Sequence, residues 1–144
     1  MRYRFGLMIA ALWWGSLSAL GFIIVPMLFT HLPSPAAAGQ LAAKLFTAQT
    51  WLSIGCAMFL LLIFNQKGTG TPDVRAQEAI KFIVTGLLLA VLVEFGLSPR
   101  IVSARGDGGN LKFLHGLGSA LYFGQWVCSG FAFWRLSRAA EPAV

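Results

Sequence analysis

Charge is scarce in this sequence. Of its 144 residues, 11% are charged and 57% hydrophobic, whereas about a quarter of a soluble domain is charged. So few charges cannot coat a water-soluble globule of this size. Cysteine is nearly absent as well. Cys56 and Cys128 lie far apart inside apolar runs, with no CxxC or Cys/His ligand spacing, so they read as small buried hydrophobes. Paired carboxylates, a nucleophile motif and a phosphate-binding loop are all missing, which leaves no support for hydrolase or transferase chemistry.

The net charge of +6 does not point to nucleic acid. The eleven Lys and Arg residues are scattered singly between apolar runs, with no basic stripe and no aromatic platform. Basic loops against anionic headgroups account for the charge, so the lipid bilayer is the expected partner.

Long apolar runs are what the chain does have. A transmembrane helix needs about 20 mainly apolar residues. Stretches at 5–31, 45–64, 79–98 and 111–134 meet that length. The expected fold is therefore all-α: an integral membrane four-helix bundle, one domain over 1–144. Arg2 and Arg4 before an apolar run, with Ala36-Ala37-Ala38 downstream, resemble a signal peptide. A signal h-region is only about 7–15 residues long, and this run is nearly twice that, so it reads as a retained helix. Leu32-Pro33-Ser34-Pro35 breaks the first helix, and polar loops are expected at 65–77 and 104–110.

Basic residues set orientation. With the N-terminus inside, seven (Arg2, Arg4, Lys67, Arg75, Lys81, Arg135, Arg138) fall inside and four (Lys44, Arg100, Arg105, Lys112) outside. N-in/C-in follows, and a bacterial inner (cytoplasmic) membrane is the expected location. Small residues at four-residue spacing, Gly116-Ala120-Gly124-Cys128-Ala132 and Ala11-Gly15-Ala19, predict close helix pairing within the bundle, in a homo-oligomer or with a membrane-protein partner. Trp13, Trp14, Trp51 and Trp126 are too deep for an interfacial belt and read as core, whereas Trp134 sits at belt depth. Phe22-Ile23-Ile24-Val25-Pro26 and Phe95-Gly96-Leu97-Ser98-Pro99 share a Phe-x-x-x-Pro spacing, which a duplicated hairpin or chance would equally produce.

Ionisable groups inside a membrane are costly and mark function. Glu94 is the only acid within a span. His31, Lys44, Arg100 and His115 fall toward the same outer face, and His115, Ser119, Tyr122, Trp126 and Ser129 form one helical stripe. Two readings stay open. Glu94 pairs with Arg100, Lys44 or His115 as a structural lock, or the cluster His31, Lys44, Glu94, Arg100, His115 and Ser119 binds a small solute, proton or metal. His31 and His115 are the candidate metal ligands.

Gly15 through Phe29, the segments 38–46 and Ser98-Pro99-Arg100, and Phe113-Leu114-His115-Gly116-Leu117-Gly118-Ser119 resemble the transmembrane protein 205-like family over nearly the whole chain. That resemblance implies a four-helix membrane protein and supplies no catalytic residues. Trp14-Gly15 and Pro26 through His31 are more distantly similar to copper-resistance D-type proteins and membrane protoporphyrinogen oxidases, which implies haem or copper as a cofactor, although His31 and His115 are a thin ligand set. Binding or passage of a small solute or ion is the leading expectation. A haem- or copper-binding redox protein and a structural assembly subunit are the alternatives.

Overall fold

The computed structural model describes residues 2–64, 74–107 and 110–139. Helix α1 is continuous through Arg2–Ala19, a π-helical turn Leu20–Ile24, and Val25–His31. Helix α2 is Pro35–Phe64. Helix α3 runs through Val74–Val91, a second π-helical turn Leu92–Leu97, and Ser98–Asp107, and α4 is Leu111–Ala139. Among the described residues there is no strand.

Two boundaries differ from expectation by nine residues or more, while α3 also starts at Val74, inside the expected 65–77 loop, and α4 runs past 134 to Ala139. α2 begins ten residues before position 45, because the Ser34-Pro35 pair starts a helix as effectively as it ends one. Leu32 is extended (φ −84°, ψ 147°), and the Ala37 amide donates to Ser34 Oγ at 3.2 Å. Proline fits the first helical turn, where its missing N–H has no intrahelical acceptor in any case. α3 does not stop at Ser98 either: it passes through Pro99 to Asp107, consuming part of the expected 104–110 loop. The π turn ahead of Pro99 lets it do so, since it relieves the clash between the ring and the carbonyl four residues earlier. α4 opens on Asn110, whose Oδ1 accepts the Phe113 amide at 3.1 Å.

Neighbouring helices run antiparallel. Tyr3 at the start of α1 meets Phe64 at the end of α2 with ring centroids 5.5 Å apart. Glu78 early in α3 pairs with Arg135 late in α4. Each helix packs on two neighbours, in the cyclic order α1–α2–α3–α4. Three helical stretches are long and apolar enough to cross a membrane, Tyr3–His31, Pro35–Phe64 and Gln77–Ile101. α4 is as long but more polar, with Lys112, His115, Ser119 and Gln125 along it. The outward surface is apolar too. Met8 is 70% exposed and Phe113 64%, an arrangement that fits lipid and would be an aggregation liability in water.

The two halves of the bundle pack differently. In the half that holds the start of α1 and the end of α4, here the closed half, Trp13, Leu17, Leu60, Ile83 and Leu136 are fully buried in one core. The Trp13 indole fills the bundle axis. A Cβ on Gly86 of α3 would lie 2.8 Å from its ring, so only glycine admits it. Two pairs of polar side chains are tied near mid-bundle, as hydrocarbon favours, whereas the buried Trp13 Nε1 and Gln125 Nε2 have no hydrogen-bond partner among the described residues. Gln49 Nε2 donates to Ser16 Oγ at 2.9 Å, and Trp126 Nε1 donates to Ser18 Oγ at 2.8 Å. The opposite, open half has no such plug.

The tryptophans divide accordingly. Trp13 is core, and Trp14 stacks on Phe133 at 6.0 Å. Trp51, expected in the core, is 57% exposed and meets only the edge of Phe95. Trp134 lies under Arg138, 4.5 Å from its guanidinium.

Candidate functional site

The open half encloses a cavity of about 510 Å³ between the four helices. α1 contributes Gly21, Phe22, Val25 and Phe29 to its wall. α2 contributes a single face at helical spacing: Gly39, Ala42, Ala43, Phe46, Thr47 and Thr50. α3 contributes Val93, Glu94, Leu97, Ser98 and Ile101, and α4 the stripe His115, Ser119, Tyr122 and Trp126. The size and the mix of apolar walls with a few polar groups are those of a small-molecule site.

The aromatic walls are ordered by their own contacts. Phe46 meets Tyr122 edge-to-face at 5.1 Å, and Phe22 meets Trp126 the same way at 5.4 Å. Tyr122 is held further by its hydroxyl, which donates to the Leu17 carbonyl at 2.8 Å. That approach requires glycine at 21, where a Cβ would sit 2.9 Å from the Tyr122 ring.

Of the residues singled out from sequence, Glu94, His115 and Ser119 line this cavity, and His31, Lys44 and Arg100 do not. The reason is angular. Lys44 lies off the Ala43–Phe46–Thr47 face of α2, and Arg100 lies off the Leu97–Ser98–Ile101 face of α3. Both are exposed, placed to extend toward headgroups. His31 is exposed at the end of α1, with Nδ1 2.8 Å from Thr30 Oγ1 and 3.0 Å from the Met27 carbonyl. The two histidines therefore do not share the cavity, and among the described residues no group of three or more His, Cys, Asp or Glu is placed to hold a metal ion.

Half-buried Glu94 makes no ion pair or hydrogen bond among the described residues, so the lock with Arg100, Lys44 or His115 does not form; the ion pair found is Glu78–Arg135 in the closed half. Ser119 Oγ donates to its own helix, to the His115 carbonyl at 3.0 Å.

The small-residue ladders are only partly seams. A Cβ on Gly124 would touch Leu89 at 3.3 Å, but one on Gly15 or Gly116 would meet nothing within 4 Å. Ala120 is likewise exposed. A four-residue repeat drifts by about 40° per step round a helix of 3.6 residues per turn. From Gly116 to Ala132 that drift nearly reverses the face, so the lower rungs pack on α3 and the upper ones look outward. The stripe from His115 steps by four and three alternately, and so stays on the cavity side.

Sequence reasoning missed Thr47 and Thr50, although two polar residues three apart in an apolar run signal one polar face. It also missed Gly21, whose role depends on contact with a distant helix.

The family model described as a domain of unknown function, DUF4149, matches residues 8–110. This covers more than half of the chain, which therefore belongs to that family. The match includes Gly21 and Glu94 and ends as α4 begins. No curated protein and no solved structure matches the chain. The likeness to the transmembrane protein 205-like family and to copper-resistance D-type proteins rests on the quoted motifs alone.

Proposed function

We propose that this DUF4149 protein is a multi-pass membrane protein that binds, and in binding can pass, a small and largely apolar solute in the open-half cavity. The observation that carries the reading is a cavity of about 510 Å³ with an unpaired carboxylate in its wall. Leaving Glu94 unpartnered among apolar side chains is costly, and a bundle shaped only for stability would pair it or replace it. His115 lines both this cavity and a smaller hollow with Phe29, Pro35 and Gln40 at the end of the bundle, which gives the site a polar mouth. A further hollow of about 540 Å³ beside Trp14, Phe133 and Trp134 has no charged or titratable lining, so it offers a solute no comparable handle.

The bias of basic residues supports both ends on the cytoplasmic side of a bacterial inner membrane, with the cavity in the outer leaflet half. The test is titration of nanodisc-embedded protein with 1-naphthylmethanol, followed by quenching of intrinsic fluorescence. A saturable phase is expected in wild type and not in Ala43→Trp, which fills the cavity. A linear, non-saturable response in both would end the proposal.

A second reading, assembly with another helix, draws on the open face of Gly116 and Ala120. Gly116→Leu is expected to weaken self-association in a membrane dimerisation assay, and unchanged association dismisses it.

A further inference from the structure

The two π-helical turns do more than carry the chain past proline. In an α-helix each carbonyl accepts from the amide four residues ahead, and in a π turn from the amide five ahead. The Val25 amide donates to Leu20, not to Gly21. The next residue, Pro26, has no N–H to give. The Gly21 carbonyl thus loses both its α-type and its π-type donor. α3 repeats the arrangement: the Ser98 amide donates to Val93, not to Glu94, and Pro99 follows. Gly21 and Glu94 each stand five residues before a proline, and both line the cavity. Neither carbonyl accepts a side-chain hydrogen bond among the described residues. Helix carbonyls are directed toward the C-terminal end of their helix, which for α1 and α3 is the open half.

The shared Phe-x-x-x-Pro spacing therefore places an unpaired main-chain oxygen on each of two helices that do not neighbour one another round the bundle, with the cavity between them. Charge points the same way. The protein carries +6 overall, yet its cavity lining contains no Lys or Arg and includes Glu94, one of only five acids in the chain. The rings of Phe22, Phe29, Phe46, Tyr122, Phe123 and Trp126 complete the walls. Two main-chain carbonyls that lack intrahelical donors, one carboxylate and several π faces together recognise a cation that carries N–H groups and an apolar frame. A bare metal ion would leave most of this volume unfilled and most of the lining unused.

We infer that the cavity selects protonated organic amines: the Glu94 carboxylate is the counter-ion, the Gly21 and Glu94 carbonyls are acceptors for ammonium N–H, and the aromatic rings hold the frame. This rests on the solute-binding reading above, and one experiment separates the two. Wild-type protein in zwitterionic nanodiscs is titrated in parallel with 1-naphthylmethylammonium and with neutral 1-naphthylmethanol.

About tenfold or more tighter binding of the amine is expected from a charge-assisted hydrogen bond plus cation–π contact. Glu94→Gln is expected to bring the two probes to within about twofold of each other while keeping the neutral one bound. Pro99→Ala, which supplies the missing amide, is expected to lower the amine preference several-fold, and a circular dichroism spectrum and melting temperature like wild type would show that α3 stays folded. Equal binding of both probes to wild type, or a preference unchanged in Glu94→Gln, overturns the amine assignment alone. If neither probe saturates, solute binding falls with it.

Discussion

The closed and open halves of this bundle are built from the same four helices and differ in what occupies the axis. In the closed half Trp13 stands at the centre, with Gly86 cut back to receive it. In the open half the corresponding space is a cavity of about 510 Å³, bordered by two π turns and one unpaired acid. Apolar burial offers no driving force between helices in lipid, so association depends on van der Waals fit and on hydrogen bonds. By that measure the closed half holds the bundle together and the open half is free to bind.

Emptying the closed half tests this difference most directly. Trp13→Ala is expected to cost about 3 kcal/mol, because the indole's packing contacts are lost and the surrounding helices relax only in part. Thermal unfolding in mild detergent reads this as a large fall in melting temperature, with the affinity for a cavity probe nearly unchanged below the transition. A loss smaller than that of Phe29→Ala, which trims a half-exposed ring on the cavity wall, would reverse the assignment of the halves. Overfilling the same spot comes next. Gly86→Val forces a side chain against the Trp13 ring, where even a Cβ would stand 2.8 Å away. The expected cost is about 1–3 kcal/mol, and it should vanish in the double variant Gly86→Val with Trp13→Phe.

Polar ties in the middle of the bundle rank below packing. Ser18 Oγ accepts from Trp126 Nε1 and donates to the Trp14 carbonyl, each at 2.8 Å. Ser18→Ala leaves the indole N–H without its partner, for a loss of about 1 kcal/mol. Trp126 also borders the cavity, so a shift in its emission spectrum on this substitution, with a small change in probe affinity, would tie the two halves at their boundary.

Much of the architecture can be read from the sequence. Four apolar runs and the alternation of their ends suffice for an antiparallel bundle, because lipid admits few other arrangements. The face of α4 that bears His115, Ser119 and Tyr122 is also legible, since a stripe alternating steps of four and three does not drift round the helix. Exclusion of Lys44, Arg100 and His31 from the site is not. Nearness to one membrane face fixes depth only, and the angle of each side chain depends on which neighbour its helix meets. The same holds for Gly116 and Gly15, because a four-residue ladder drifts round its helix and only part of it faces a neighbour. The paired Phe-x-x-x-Pro spacing is legible in the sequence, but its consequence is not. Proline alone reads as a stop signal, and a π turn that carries the helix onward while freeing a carbonyl follows from packing on both sides of it.

The smallest effect lies at the end of the closed half, where Glu78 pairs with Arg135. Their side chains remain 41% and 36% exposed, so water and headgroups screen the attraction and its net value falls within about 1 kcal/mol. Arg135 has an alternative: its guanidinium lies 5.5 Å from the Trp134 ring centroid, a contact that survives when the carboxylate is gone. Glu78→Gln is therefore expected to change stability by no more than about 0.5 kcal/mol. A double-mutant cycle with Arg135→Gln, run at low and high salt, checks this. Coupling above about 2 kcal/mol that resists salt would mean that the ion pair clamps α3 to α4, and the closed half would owe its rigidity to electrostatics as much as to the fit of Trp13.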